Sequence, residues 1–254
     1  MGTIISLFNQ KGGVGKTTIN VNLTVALAKR KQRVLTIDLD PQGNTTSGFG
    51  VDASELVSSY DVFLGEVSLQ DAIVSTEEGV DLIPSSPDLA AASMMLSQGE
   101  KKDYVLKEAL QAIQADYDLI FIDCPPALGL LSINALVASD TVLIPIQCEF
   151  YALEGLSQLV ETIQMIRSGM NPNLSIEGVL LNMVDKRNNL TRDVAFEVKK
   201  YFGDKVYDTE IPRNVRLAEA PSYGQSIFKY DSISKGAWSF KKLAKEFLQR
   251  RSHG

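Results

Sequence analysis

The first residues with recognisable chemistry form a glycine-rich loop between an apolar run and a helical pattern. The loop consists of Lys11, Gly12, Gly13, Val14, Gly15, Lys16, Thr17 and Thr18. Because glycine has no Cβ, consecutive backbone N–H groups can converge on an anion, and the N-terminus of the next helix favours negative charge. The loop therefore predicts a polyphosphate site, in which Lys16 reaches the β and γ phosphates and the Thr17 hydroxyl binds Mg²⁺.

The loop departs from the common phosphate-binding pattern at its first position. Where the pattern G-x-x-x-x-G-K-[ST] has glycine, this chain has Gln10, and a second lysine, Lys11, follows it. Lys11 lies at the far end of the loop and need not point at the phosphates that its own loop binds. A lysine there could reach the nucleotide of a second subunit.

Aspartates that follow apolar runs predict the remaining chemistry of the site. Asp123 ends the run Leu119 to Ile122, and such a strand-terminal carboxylate lies beside the metal of a phosphate loop. Asp38 and Asp40 end another run, where a carboxylate orients the attacking water or the metal-bound groups. For Asp38 two interpretations stay open, support of the metal shell or loop backbone and an Asx-type cap of a turn. The stiff turn at 125–129 suits a segment that responds to the γ-phosphate.

Short apolar runs alternate with longer helical patterns, as repeated βα units require. Most runs are continuous stretches of Val, Ile and Leu, which are typical of parallel strands buried on both faces. The predicted strands are Ile4–Phe8, Val34–Ile37, Val80–Ile83, Leu119–Ile122, Thr141–Ile144, Ile176–Leu181 and Val206–Ile211. The predicted helices are Asn20–Lys29, Tyr104–Ala115, Leu153–Arg167, Arg192–Phe202 and Lys235–Leu248. We expect a single α/β domain over residues 1–254, with a doubly wound, mostly parallel sheet that binds ligands at the carboxyl ends of its strands.

The composition fits one cytoplasmic domain. The 254 residues are 44% hydrophobic and 22% charged, which is enough for a sizeable core. No apolar run reaches the ~18 residues of a membrane span, and no signal sequence is evident. Cys124 and Cys148 form no C-x-x-C pair and are expected to be packed and reduced. Since His253 is the only histidine, neither a zinc site nor a histidine base is expected.

Charge is distributed unevenly along the chain. The net charge of −6 argues against a uniformly basic nucleic-acid binder. Between residues 228 and 254, however, seven lysines and arginines stand against two acidic residues. This asymmetry favours an edge that faces a polyanion, although a solvated basic helix gives the same pattern.

The loop with its additional lysine resembles the deviant Walker A motif of the ParA/MinD superfamily of P-loop ATPases. The segment 38–44, D-L-D-P-Q-G-N, and the segments 145–156 and 211–222 are similar to ParA/Soj-type proteins, so the likeness extends from residue 2 to about 250. In that family two ATP-bound subunits sandwich their nucleotides face to face. The resemblance implies that Lys11 contacts the partner's phosphates and that Gly12 lies where the two loops nearly touch.

The resemblance also implies the remaining site residues. Lys11, Lys16, Asp40 and Asp123 are the expected catalytic residues, with Asp40 supporting hydrolysis, and the cofactors are ATP and Mg²⁺. The expected metal-site residues are Thr17, Asp40 and Asp123. Adenine is expected to contact Pro212 and Asn214. Arg187 and Arg216 match positions implicated in DNA binding, although for Arg187 a role as a solvated loop residue stays open.

The implied activity is slow ATP hydrolysis coupled to partitioning of a chromosome or plasmid. The ATP-bound homodimer would bind double-stranded DNA without sequence preference, because phosphate neutralisation needs several cations on one face. Hydrolysis would release the DNA. A ParB-type centromere-binding protein would stimulate turnover, and the protein would be cytoplasmic and associated with the nucleoid.

Two alternatives follow from other features of the chain. A MinD-like membrane-positioning ATPase would use the apolar residues of the last helix as an interfacial anchor, Trp238, Phe240, Leu243, Ala244, Phe247 and Leu248. The same residues fit a helix packed on the sheet, and the segment Asp123-Cys124-Pro125-Pro126 resembles ParA more than MinD. An iron–sulfur carrier related to the nitrogenase iron protein would need cysteine ligands, but Cys124 directly follows the strand-end aspartate, where no such ligand is expected.

Overall fold

The computed structural model describes residues 1–95, 101–149 and 154–252. The strands in this part of the chain are β1 (Thr3–Leu7), β2 (Val34–Asp38), β3 (Val74–Ser75), β4 (Asp81–Ile83), β5 (Leu119–Asp123), β6 (Thr141–Gln147) and β7 (Ser175–Asn182). They form one sheet in the order β3-β4-β2-β5-β1-β6-β7, in which every pair is parallel except β3 with β4. The predicted doubly wound, mostly parallel sheet is confirmed.

Helices cover both faces of this sheet. They are α1 (Lys16–Ala28), α2 (Asn44–Gly48), α3 (Ser59–Leu64), α4 (Leu89–Met95), α5 (Val105–Leu110), α6 (Leu130–Ala138), α7 (Glu154–Gly169), α8 (Asn189–Phe202), α9 (Val215–Glu219), α10 (Ile227–Tyr230) and α11 (Lys235–Ser252). One apolar core joins the sheet to α3–α8, and the second joins it to α1 and α9–α11. Since the central strands are covered on both faces, their continuous Val/Ile/Leu runs are explained.

The long C-terminal helix packs its apolar face on the sheet side of the second core. Phe240, Leu243 and Phe247 of α11 are fully buried, and burying each such side chain stabilises the fold by about 1.5–3 kcal/mol. Trp238 is the exception, because it is 67% exposed. The interpretation that the last helix packs on the sheet therefore holds for its other apolar residues, and Trp238 does not take part in that packing.

The predicted strand Val206–Ile211 is wrong. Val206 forms only an isolated bridge with Val179 of β7, although the N–H groups of Tyr207 and Ile211 still donate to carbonyls of β7. Between them, the N–H groups of residues 208 and 209 donate to the carboxylate of Glu246 at 2.8 and 2.9 Å. The side chain from α11 thus takes the donors that a regular ladder would use, and periodicity alone gives no sign of such competition.

Other boundaries differ by less. The predicted helix Tyr104–Ala115 ends at Leu110 and is followed by a short 3₁₀ turn, and the two-residue strand β3 and the short helices were not predicted from the periodicity. The predicted first residue of α7, Leu153, and the single histidine, His253, lie outside the described residues. Both cysteines are free and buried, as expected.

Candidate nucleotide and metal site

The glycine-rich loop connects β1 to α1 at the carboxyl edge of the sheet. Gly15 precedes α1 in the left-handed region, with φ +87°, and a Cβ there would collide with the amide group of Asn182. That amide donates to the carbonyl of Val14 at 2.7 Å. The end of β7 therefore fixes the path of the loop, and glycine is required at this position for both conformation and space.

Lys16 lies buried across the concave side of the loop. Its side chain is 7% exposed, and its ammonium group donates to the carbonyl of Asn9 at 3.2 Å. Because Asn9 precedes the loop and Lys16 lies near the loop's other end, the lysine side chain spans the space that the loop encloses. A phosphate bound there would meet the ammonium group together with the backbone N–H groups at the start of α1.

The aspartates at the ends of β2 and β5 are neighbours in the sheet register. Asp38 and Asp123 are paired positions, and both are buried. One oxygen of Asp123, Oδ2, accepts hydrogen bonds from the hydroxyl groups of Thr17 at 2.8 Å and Thr45 at 2.7 Å. The other oxygen, Oδ1, is buried with no hydrogen-bond partner, and an unpartnered buried carboxylate oxygen is costly unless something compensates it.

This arrangement fits a hard divalent cation. Thr17 and Asp123 present hydroxyl and carboxylate oxygens, the ligands that Mg²⁺ prefers, and the orphaned Oδ1 atom is a donor that needs a partner. Burial raises the pKa of Asp123 to about 6, and burial together with the Asp123 charge raises the pKa of Asp38 to about 7. A cation beside the pair would offset the cost of two buried charges.

Asp38 and Asp40 hold the backbone that follows β2. Asp38 accepts hydrogen bonds from the N–H and hydroxyl groups of Thr46, both at 2.8 Å, and from the N–H of Asp40 at 3.1 Å. Asp40 in turn accepts from the N–H of Gln42 at 3.0 Å. Each aspartate therefore caps an Asx-type turn. The buried Asp38 ties the start of α2 to the sheet, whereas the half-buried Asp40 stands at the rim of the site.

A separate cavity of about 340 Å³ adjoins the loop, large enough for a base and part of a sugar. Its lining residues are Thr18, Asn182, Met183, Pro212, Arg213, Asn214, Val215, Leu217 and Ala218. The predicted Pro212 and Asn214 are thus brought together with the loop, and the Asn214 side chain also caps α9 by accepting the N–H of Arg216 at 2.8 Å.

Sequence reasoning did not identify Asn182 and Met183 as part of this cavity. Asn182 ends an apolar strand just as Asp38 and Asp123 do, and that signal could have found it. Met183 adopts φ +53°, a left-handed conformation that is uncommon for a non-glycine residue. No pattern in the sequence marks that conformation.

Three predicted site residues lie outside the enclosed cluster, each paired with a carboxylate of the same chain. The Lys11 ammonium lies 3.4 Å from Glu149, and the side chain is 39% exposed. Arg187 pairs with Asp185 at 2.7 Å. Arg216 pairs with Glu219 at 3.0 Å and with Asp231 at 3.5 Å. Lys11 therefore does not fold into its own loop.

The described residues contain no group of three histidine, cysteine, aspartate or glutamate side chains placed to hold a metal. Of the predicted metal-site residues, Thr17 and Asp123 are joined by a hydrogen bond, whereas Asp40 bonds to the backbone of Gln42. None of the helices in the described ranges has both the length and the apolar character of a bilayer span.

A parallel sheet with a glycine-rich loop, a buried lysine and strand-end carboxylates at one edge defines a P-loop nucleoside-triphosphate-binding protein. A family model described as an AAA domain matches residues 2–176. The chain is 53% identical to the sporulation initiation inhibitor protein Soj of Bacillus subtilis, over 97% of this chain and 98% of that protein. It is 48% identical to the chromosome partitioning protein ParA of Caulobacter vibrioides, over 97% and 94%.

The chain belongs to the ParA/Soj family of the ParA/MinD superfamily. Among solved structures, it is similar to cobyrinic acid a,c-diamide synthase from Mycobacterium smegmatis, with a TM-score of 0.87 and 37% identity. That match covers 99% of this chain and 96% of the other, which was crystallised with ADP and magnesium.

Proposed function

We propose that this protein is a DNA-partitioning ATPase whose ATP-bound form is a homodimer. The observation that carries the proposal is the division of labour between two lysines of one loop. Lys16 is buried inside the loop, whereas Lys11 lies outside it and pairs with Glu149. A lysine that the loop's own phosphate site does not use is available for the phosphates of a second subunit. We further propose that residues 1–254 form one ATPase domain.

ATP would occupy the loop and the adjoining cavity, with its base against Pro212 and Asn214. Thr17 and Asp123 would hold Mg²⁺, with Asp40 close to the metal site. When bound, Mg²⁺ neutralises charge on the β and γ phosphate oxygens. Lys16 would hold the γ-phosphate, and Asp40, at the rim of the site, would position the attacking water. Among the described residues no dedicated general base stands out, so intrinsic turnover should be slow and stimulated by a partner.

The ATP-bound dimer would carry two copies of Arg187 and Arg216 on its surface and bind double-stranded DNA without sequence preference. Loss of the γ-phosphate would remove the contact that favours the dimer, and DNA would then be released. The names of the relatives support a role in chromosome partitioning. The proposed stimulating partner is a ParB-type protein, and the proposed location is the nucleoid in the cytoplasm.

Gly12 provides a direct test of the dimer. A Cβ at Gly12 meets only the Pro126 side chain, at 4.0 Å, so a valine fits the single chain. Between two loops that nearly touch, the same side chain would obstruct association. We expect light scattering to show a dimer of wild-type protein with a non-hydrolysable ATP analogue and a monomer with ADP. Gly12→Val should bind the analogue yet stay monomeric.

Gly169→Val is the matched control, since Gly169 is also exposed and a Cβ there meets nothing within 4 Å. It should dimerise as the wild type does. An identical mass for the wild type with ADP and with the analogue would refute the proposal.

The membrane alternative has less support, because the apolar face of α11 is buried in the second core and is not available as an anchor. Co-sedimentation with DNA and with anionic vesicles, each in the presence of ATP, separates the two functions. Binding to vesicles without binding to DNA would favour the membrane alternative.

A further inference from the structure

A groove of about 690 Å³ runs between the loop after β7, the segment 208–212 and the beginning of α11. Two large apolar side chains line it in contact with solvent: Trp238 is 67% exposed and Ile233 is 94% exposed. We propose that this groove is a DNA-contacting surface in which Trp238 packs against the sugars and bases of the duplex. The inference rests on the proposed function and adds an apolar contact to it.

Trp238 lies apart from the apolar face of its own helix. The apolar residues around it on α11, such as Ala237 and Phe240, are buried in the second core, and Trp238 points away from that core. A single exposed apolar side chain is ordinary, whereas a contiguous exposed apolar patch rimmed by polar residues marks an interaction site. Ile233 enlarges the same exposed apolar surface.

The charged residues around the groove leave an excess of one positive charge, which favours a polyanion as the occupant. The basic lining residues are Lys186, Arg187, Lys235 and Lys242, and the acidic ones are Asp185, Asp208 and Glu210. Lys186 pairs with Glu210 at 3.2 Å and Arg187 with Asp185 at 2.7 Å, and the cationic side chains of these pairs are 81% and 90% exposed. Their carboxylate partners are less exposed, at 19% for Glu210 and 31% for Asp185, so a phosphate that approaches from solvent reaches the cations first.

The two remaining cations strengthen this selection. In the part of the chain described, neither Lys235 nor Lys242 forms an ion pair, and both are exposed. A tryptophan flanked by unpaired lysines combines a surface for stacking or wedging against bases with cations for the backbone phosphates. Asp208 is the acidic lining residue that opposes this charge.

Position favours DNA over other polyanions. Arg187, one of the two arginines proposed to contact DNA, lines the groove itself. The other, Arg216, pairs with Asp231, two residues before the lining residue Ile233. A duplex bound through Arg187 would therefore meet the groove that Trp238 lines.

An apolar contact differs from a phosphate contact in its response to salt. Each lost phosphate contact lowers the slope of log affinity against log salt by about 0.9, whereas a ring packed on bases or sugars releases no counterions. Trp238→Ala should therefore weaken DNA binding about tenfold at every salt concentration, with an unchanged slope. Lys242→Ala should reduce the slope, and Trp238→Phe should restore most of the affinity.

The chain contains one tryptophan, so its emission reports on this groove alone. The test is a titration of wild-type protein, with a non-hydrolysable ATP analogue, by a 30-base-pair duplex while tryptophan emission and fluorescence anisotropy of labelled DNA are recorded. We expect quenching that follows the binding curve. Tyr201→Ala, which removes a 61% exposed aromatic side chain from α8, is the control and should bind DNA normally.

The outcomes separate this inference from the proposed function. If the duplex binds but emission is unchanged and Trp238→Ala binds as tightly as the wild type, the inference is overturned and DNA partitioning stands. If no duplex binds, the proposed function fails first. Emission that responds to phosphatidylglycerol vesicles or polyglutamate and not to the duplex would also overturn the inference, since the groove would then serve a membrane or an acidic protein. Unfolding midpoints of the variants exclude a folding defect.

Discussion

The charged residues at the strand ends are buried, whereas the cations at the outer rim of the site, Lys11, Arg187 and Arg216, are exposed to solvent. Lys16, Asp38 and Asp123 are all buried, and Asp123 keeps a carboxylate oxygen without a partner. Lys11 and Arg216 are exposed, and each already has a carboxylate partner in its own chain. A ligand of the buried cluster would therefore supply a missing partner. A ligand of the rim cations would have to displace a carboxylate that is already bound.

This difference indicates which ligand each region can bind when only one chain is present. Buried, preorganised groups act strongly on a ligand because little is lost to solvent or to reorganisation. Exposed ion pairs contribute about 0–1 kcal/mol each, so they are broken easily but bind strongly only when several act together. Nucleotide binding should thus be a property of the monomer, and DNA binding a property of the assembly.

The largest change in activity is expected from a substitution at the edge of the buried cluster. Asp40→Ala should reduce ATP turnover by about 10²–10³-fold, because the water and the charge of the transition state lose their positioning group. ATP-dependent DNA retention should persist. Phosphate release and gel retention measure the two properties. Asp52→Ala is the control, since Asp52 also accepts the N–H two residues on but is exposed and does not stand at the end of a strand. Normal hydrolysis by Asp40→Ala would remove the assigned role.

The next effect concerns the buried lysine. Lys16→Ala should weaken ATP binding about 100-fold, the loss expected for a charge-assisted contact in an enclosed site. Titration calorimetry measures this affinity. Lys29→Ala, at the exposed end of the same helix, should bind ATP as the wild type does. If Lys16→Ala kept its affinity, the contrast between a buried and an exposed lysine would lose its functional meaning.

Charge reversal at the rim should have a smaller effect. Arg216→Glu should form the nucleotide-dependent dimer yet bind DNA about tenfold more weakly at moderate salt, with a shallower salt dependence. Lys107→Glu makes the same charge change on α5, which packs on the opposite face of the sheet from α9. It should leave DNA affinity unchanged. Unaltered gel retention of Arg216→Glu would exclude this arginine from the interface.

The buried region was also the more predictable of the two from sequence. The glycine loop, the Asp123 strand end and the parallel sheet follow from local patterns, because glycine conformation and continuous apolar runs act over a few residues. The Asn182 amide on the loop and the Glu246 carboxylate that interrupts the strand at 206–211 involve residues far apart in sequence. Such contacts have no local signature.

The rim was predictable only as a set of charges. Sequence marks Lys11 and Arg187 as candidates, but their pairing with Glu149 and Asp185 depends on how neighbouring loops fold. The same limit applies to Trp238. Helical periodicity counts it with the apolar face of α11, and only packing separates it from that face.

The smallest expected effect tests the pair that holds Lys11. Glu149 accepts hydrogen bonds from both Lys11 and Gln147, so in the single chain it competes with any phosphate for the lysine. Glu149→Gln should weaken this competition and tighten nucleotide-dependent dimerisation about threefold, as the modest strength of an exposed pair implies. Sedimentation equilibrium with a non-hydrolysable ATP analogue measures the change.

Glu108→Gln is the matched control, because it removes another exposed pair, with Lys101 at 3.0 Å, that lies away from the loop. Its dimerisation should match that of the wild type. If Glu149→Gln instead dimerised more weakly, Glu149 would be a contributor to the dimer and not a competitor for Lys11. Glu149 would then hold Lys11 in the position that the dimer requires. Lys11 would in that case have to be grouped with the preorganised residues of the buried cluster.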